Sequence, residues 1–220
     1  MRGGVLLPAR RPGTSGKDGP YDTYCSGGVA MIEVRPADRF DDVAVLLGPK
    51  KNPDASVCWC LSHRLDSKTN TSLTGPARGE YVRDLCGRDT APGVLAYLGP
   101  EPVGWAGVAP RRDLPIARSR VVPTVDAQPV WSIFCIRVRP GYRGQGVARE
   151  LVEGAVEFAR DHGAPAVEAV PVDNGAEKVN LTMAFVGFRS LFEQAGFVKV
   201  ADTTSVAGGF PRIVMRRQLD

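Results

Sequence analysis

Histidine is scarce: His63 and His162 are the two in 220 residues. That leaves little for a zinc centre, which draws on Cys and His in combination. No run of about 18 apolar residues occurs, so no segment has the length of a bilayer-spanning helix. Charge of one sign is not concentrated either. The 28 Lys and Arg are scattered among 24 Asp and Glu for a net +4, which argues against a nucleic-acid binder with its basic stripe. A mildly basic surface also suits an anionic cofactor. Cysteine is present but unpaired in pattern: Cys25, Cys58, Cys60, Cys86 and Cys135 make an odd count with no disulfide framework. Residues 1–30 contain only Val5-Leu6-Leu7 as an apolar cluster, too short for a signal-peptide core. Free thiols in a reducing cytoplasm are the expectation.

The chain is long enough for one sizeable core and short for two. Residues 1–29 hold seven Gly and three Pro without hydrophobic periodicity. They read as a disordered tail ahead of one domain over residues 30–220. A basic arm that touches a partner is the other reading of the tail.

The informative stretch is Val138 to Ala148. The apolar run Val130–Ile136 leads into Arg139-Pro140-Gly141-Tyr142-Arg143-Gly144-Gln145-Gly146, and an amphipathic helix pattern starts at Val147. A strand, a Gly-rich turn and a helix N-terminus together can hold an anion, because backbone N–H groups and the helix dipole face it. Gly144 and Gly146 would let a phosphate approach the backbone. A Walker loop requires Lys-Ser/Thr after its last glycine, and Val147-Ala148 stand there. A dinucleotide fingerprint requires a different glycine spacing from Gly141, Gly144, Gly146.

Periodicity predicts further elements around this loop. Residues 31–36 alternate like a strand, and Asp38–Leu47 shows one helical face that Gly48-Pro49 stops. Lys50–Thr74 is irregular. Thr74-Gly75-Pro76 opens a second helix through Cys86. Gly93–Leu98 and Pro102–Val108 form a hairpin about Gly99-Pro100-Glu101. Arg111–Gln128 is a long charged loop. Val130–Val138 is apolar at both alternating positions, as in a central strand buried on both faces. Ala166–Val172 is the next strand and Leu181–Ala195 a helix. Phe197–Val200 and Ile213–Met215 finish as a strand pair.

From residue 31 onward this order, with Arg143-Gly144-Gln145-Gly146-Val147-Ala148 matching the Q/R-x-x-G-x-G/A pyrophosphate loop, resembles the GNAT acetyltransferase superfamily. The resemblance implies an α/β fold: a mixed, mostly antiparallel sheet with a splayed parallel strand pair and flanking helices. It implies an N-acetyltransferase that moves acetyl from acetyl-CoA to a primary amine by direct attack in a ternary complex. By position, Arg143, Gly144, Gln145, Gly146, Val147 and Ala148 would hold the pyrophosphate. Backbone groups of Ile136 and Val138 would pair with pantetheine as an added strand does, and one strand amide would polarise the thioester carbonyl. The acceptor would be a small-molecule amine. The alternatives are a protein N-terminus or lysine, or a non-catalytic acyl-CoA-binding module. A homodimer is common in the family. No metal, nucleic acid or membrane is expected.

An ammonium must lose a proton before it attacks. Glu168 is the candidate base, on the strand after the cofactor helix. The competing reading is a carboxylate at a strand edge or paired with Arg. Asp173 is a weaker candidate, more in keeping with a turn. The sequence departs from the family at Phe192 and Phe185, which stand where many members carry Tyr and Asn, and Phe cannot protonate a leaving thiolate. Cys58-x-Cys60-x-x-His63, with Cys86, could supply four metal ligands, but packing in the wall of the acceptor pocket is preferred. Cys135 could carry an acyl group or serve as a core residue. Arg111, Arg112, Arg118 and Arg120 could bind an anion or be solvated. Trp105 and Tyr97 read as core, and His162 as a helix cap without a catalytic role.

Overall fold

The computed structural model describes residues 31–175, 177–179 and 184–219. The expected tail, residues 1–29, and the first three residues of the expected helix over 181–195 lie outside them. The described chain builds one seven-stranded sheet in the order β1-β2-β3-β4-β5-β7-β6. Its strands are β1 Ile32–Pro36, β2 Gly93–Leu98, β3 Glu101–Pro110, β4 Trp131–Val138, β5 Ala166–Ala169, β6 Val198–Ala207 and β7 Phe210–Gln218. Every pairing is antiparallel except β4 with β5. The helices are α1 Phe40–Leu47, α2 Ser67–Ser72, α3 Pro76–Cys86, α4 Val147–Asp161 and α5 Arg189–Gln194.

Alternation along the strands sends side chains to two separate cores. On β3, Ala106 faces the layer under α4, while Trp105 faces the layer under α1 and α3. The α4 side is filled by Leu151, Val152, Ala155, Phe158 and Ala159 against Val94, Ala96, Val108, Ile133 and Met215. The other side packs Val43, Leu47, Trp59, Leu61 and Leu85 against Leu95, Tyr97, Trp105 and Phe134. β4 is buried on both faces from Trp131 to Cys135 and then emerges. Expecting Val130–Val138 to be a central strand follows from that double burial.

Several boundaries differ from those the periodicity predicts. The helix expected through residue 195 occupies only Arg189–Gln194. Ahead of it, Phe185 O accepts from Ile136 N–H and Gly187 O accepts from Val172 N–H, so this backbone serves strand edges. Gly187, at φ +110°, turns the chain before the helix begins. β5 is shorter than expected, and Val172 forms isolated bridges to Phe188 and Arg212 instead. β6 and β7 run longer, because they pair with each other along most of their length. Within the stretch expected to be irregular, Asp66 caps α2 by accepting from Thr69 N–H at 3.0 Å, a standard N-cap bond.

Two glycines seat α4 on the sheet. A Cβ on Gly104 of β3 would lie 2.8 Å from both Leu151 Cδ1 and Val147 Cγ1, and one on Gly154 would lie 2.3 Å from Val34 Cγ1. Alanine normally stabilises a helix interior over glycine by up to about 1 kcal/mol. Here the contact with Val34 on a strand outweighs it. Gly154→Ala should lower stability by roughly 1–3 kcal/mol in urea denaturation, and Val34→Ala in the same chain should recover much of the loss.

Candidate active site

The loop after β4 is braced by hydrogen bonds. Gly141, Gly144 and Gly146 take φ of +92°, +75° and +84°, conformations costly for any residue with a Cβ. Gln145 Nε2 donates to Gly141 O at 2.8 Å across the loop. Tyr142 Oη donates to Glu101 at 2.6 Å, and Arg139 Nη1 donates to Pro102 O at 3.1 Å. Both tie the loop to the start of β3. Gly146 caps α4, whose first-turn N–H groups have no intrahelical acceptor. Nothing lies within 4 Å of where a Cβ would stand on any of the three glycines. Arg143 is exposed beside them. Open space, unsatisfied donors and a mobile cation together fit a pyrophosphate group.

The strand ahead of the loop stands at a fork. β4 and β5 pair only at Trp131–Val167, Ser132–Glu168 and Ile133–Ala169. Beyond, a bulge at Phe134 shifts the register of β4 against β3. Ile136 then turns its amide away from β3 and donates to Phe185 O at 2.8 Å. Val138, two residues on, presents its backbone to the same edge, by the period of a strand. The pairing expected of Ile136 with pantetheine therefore requires that the Phe185 carbonyl give way. On the α1 side of the fork a cavity of about 490 Å³ opens, with His63, Ile133, Phe134, Val170, Phe185 and Arg212 among its lining.

Glu168 lies elsewhere. It is 2 % exposed and forms a row with Ser132 and Arg216 across the sheet. Arg216 Nη2 and Nε donate to its Oε1 at 2.7 and 3.0 Å, and Arg111 Nε stands 3.4 Å from its Oε2. Arg216 also binds Asp126 and Gln128, and Arg111 binds Pro123 O and Thr124 Oγ1. The cluster thus straps the 119–130 loop to the sheet. It borders a cleft of about 580 Å³ whose other walls include Trp131, His162 and Gly163. That cleft sits at the C-terminal end of α4, whereas the glycine loop sits at its N-terminus, about 22 Å away at the rise of a helix.

The model of the acetyltransferase (GNAT) family matches residues 63–188, from His63 through the fork. The chain belongs to the GNAT acetyltransferase family. It is an acyl-CoA N-acetyltransferase. Similar solved structures include YncA of Salmonella typhimurium with its cofactor acetyl-CoA, at 17% identity, covering 86% of this chain and 94% of that one with a TM-score of 0.48. A GCN5-related N-acetyltransferase from Kribbella flavida shows 19% identity, 86% and 98% coverage and a TM-score of 0.47. Ard1 from Thermoplasma volcanium shows 14%, 87% and 99%, and 0.49. No curated protein sequence matches the chain.

The remaining sequence candidates of this acetyltransferase go to distinct neighbours. Phe192 is fully buried and meets Phe197 edge-on at 5.1 Å, so it serves the core under α4. Asp173 pairs with Arg189 at 3.2 Å. Cys135 turns its thiol to Cys60, with the sulfurs 2.7 Å apart and both cysteines free. That neighbour and burial hold the Cys60 thiol well above the ordinary range. Cys58 Sγ meets Ser62 Oγ at 3.3 Å, and the His63 ring stacks on Phe185. Among the described residues no group of three or more metal-ligating side chains gathers. Trp105 and Tyr97 are buried, and Tyr97 Oη donates to Asp42 at 2.8 Å. His162 closes α4 with Nδ1 at 2.7 Å from Phe158 O. Arg112, Arg118 and Arg120 stay at least partly exposed. The role of His63 in the cavity was not legible in sequence, because its stack partner is 122 positions away, at Phe185.

Glu168→Gln should expose the structural role of this carboxylate. Removing one charge of a buried pair typically costs about 3–5 kcal/mol, because Arg216 and Arg111 stay buried without their counter-charge. The urea midpoint should fall accordingly. A variant of unaltered stability with lost turnover would instead make Glu168 the base.

Proposed function

We propose that the chain acetylates a primary amine of a small molecule by direct attack within a ternary complex with acetyl-CoA. The observation that carries this is the joining of two features at one fork: the left-handed glycine loop at the N-terminus of α4, and the cavity between β4 and the segment after β5. Acetyl-CoA supplies the activated acetyl group as a thioester. Arg143 and the backbone N–H groups from Gly144 to Ala148 hold its pyrophosphate, with the helix dipole adding to the attraction. Ile136 and Val138 align the pantetheine arm along the edge of β4 once the Phe185 carbonyl gives way. The loop braces, Gln145 on Gly141 and Tyr142 on Glu101, keep these donors in place before binding. Preorganised donors lose little entropy on association.

The size of the acceptor cavity supports a small molecule. Its volume, about 490 Å³, falls in the usual range for small ligands, and its walls are mostly apolar. A protein N-terminus would have to enter as one or two extended residues. Substrate panels that include short peptides separate the two.

Calorimetric titration with acetyl-CoA tests the cofactor site. The wild type should bind saturably. Arg143→Ala should weaken binding about tenfold or more, as loss of one charge-assisted phosphate contact does. Gly146→Glu should abolish it, since a non-glycine residue strains φ +84° and a carboxylate repels phosphate. A panel of amines read by release of free thiol then tests transfer. Saturable binding without transfer to any amine would favour a non-catalytic acyl-CoA-binding module.

A further inference from the structure

We propose, on the basis of the acetyl transfer argued above, that His63 is the catalytic base that takes the proton from the acceptor ammonium in the cavity at the β4–β5 fork. The lining itself narrows the choice. Of the described residues around the cavity, His63 and Arg212 carry the ionisable side chains, and no carboxylate stands among them. Glu168 is strapped between Arg216 and Arg111, and Asp173 is paired with Arg189. A guanidinium does not give up its proton near neutral pH. The imidazole is the acceptor that remains.

Its placement is built. The chain enters the turn Leu61–His63 through two consecutive left-handed residues, Trp59 at φ +51° and Cys60 at φ +56°. Such strain in residues with a Cβ persists only where surroundings over-determine it, and it clusters at functional sites. Here the surroundings are identifiable. Buried Arg78 donates from Nε to Val57 O at 2.8 Å and from Nη2 to Cys58 O at 2.9 Å, while Trp59 is locked in the α1–α3 core. The result projects His63 onto Phe185, with ring centroids 3.9 Å apart and planes 13° off parallel. Phe185 in turn accepts from Ile136 N–H through its carbonyl. The imidazole is thus one residue removed from the strand edge along which the thioester would lie.

The charge environment keeps the ring in its basic form. Burial comes first and the Arg212 guanidinium second, and both hold the imidazole below its ordinary value. Arg212, on β7, is the charged group near it, its guanidinium 4.3 Å over the same Phe185 ring. β4, the end of β5 and residues 185–186 contribute Ser132, Ile133, Phe134, Val170, Phe185 and Val186, none of which titrates near neutral pH. His63 therefore stays neutral at pH 7. The same apolar walls and the same guanidinium disfavour a bound ammonium, which narrows the gap between donor and acceptor. The ammonium gives one proton to the imidazole nitrogen. The amine lone pair then forms the C–N bond as the C–S bond breaks, and sulfur leaves with the electron pair. The second amine proton ends on sulfur, giving the thiol, and His63 releases its proton to solvent.

The test is the pH dependence of kcat/KM for an apolar monoamine, from about pH 5 to about pH 9, corrected for the fraction of the amine present as ammonium. The wild type should show an acid limb with a midpoint below the ordinary histidine value of about 6.5. His63→Gln should lower kcat/KM by roughly 10²–10⁴-fold and erase that limb, with acetyl-CoA binding by calorimetry unchanged. Free imidazole should restore part of the rate of His63→Ala, which a merely structural histidine would not allow. His63→Gln with wild-type kcat/KM and an unaltered acid limb overturns the role of His63 and leaves the acetyl transfer standing. Should both variants unfold, a wild-type profile without the limb overturns it equally. Acetyl-CoA binding with no transfer to any amine overturns the proposed reaction and this role together.

Discussion

The structure depends on two parallel strands that cannot stay together. β4 and β5 share three residue pairs and then part, which leaves backbone N–H and C=O groups on the inner edges of both. Buried backbone groups need partners. In the chain alone, the segment after β5 supplies some of them: the carbonyls of Phe185 and Gly187 take the amides of Ile136 and Val172. An extended ligand with amide groups, such as pantetheine, offers the same kind of partner. The bulge at Phe134 fits this view, since a bulge twists and redirects a strand. It lets β4 remain in register with β3 on one side while turning its other edge outward.

The second constraint is the position of α4. The helix lies close across β1 to β4, and Gly104 and Gly154 permit that approach. The apolar stripe from Val147 to Ala159 fastens it there. Fixing one helix end fixes the loop, because Gly146 is at once the cap of α4 and the last residue of the glycine loop. Packing on the α4 face and the shape of the glycine loop at its end are therefore consequences of the same glycines and the same stripe.

The opposite face divides its charges by location. At the far end of β4 and β5, Glu168, Arg216, Arg111 and Asp126 are mutually satisfied and hold the 119–130 loop. A buried pair of this kind contributes order more than stability. Near the fork, His63 and Arg212 share an apolar cavity, and there burial depresses ionisation instead of being offset by it. One face of one sheet thus carries a structural electrostatic cluster and a titratable site, separated by about four residues of strand, or roughly 13 Å.

The sequence by itself determined most of the element order, the central strand, the helix after the loop and the glycine turn that joins them. These are local: a period of two or of 3.6, a Gly spacing, a helix start, all written within about twenty consecutive residues. The family followed from them. The anchoring of the long loop, the shortened α5 and the pairing of Glu168 were decided only by tertiary structure. Glu168 alternates with Val170 as an inward residue should, yet its role depends on Arg216 and Arg111, 48 and 57 positions away. Phe185 carries a helical pattern in sequence, but two open strand edges outcompete the helix for its backbone. His63 looked like part of a cysteine-rich segment. It meets the fork because Arg78 and Trp59 hold a strained turn, and strain is set by long-range packing that no local pattern records.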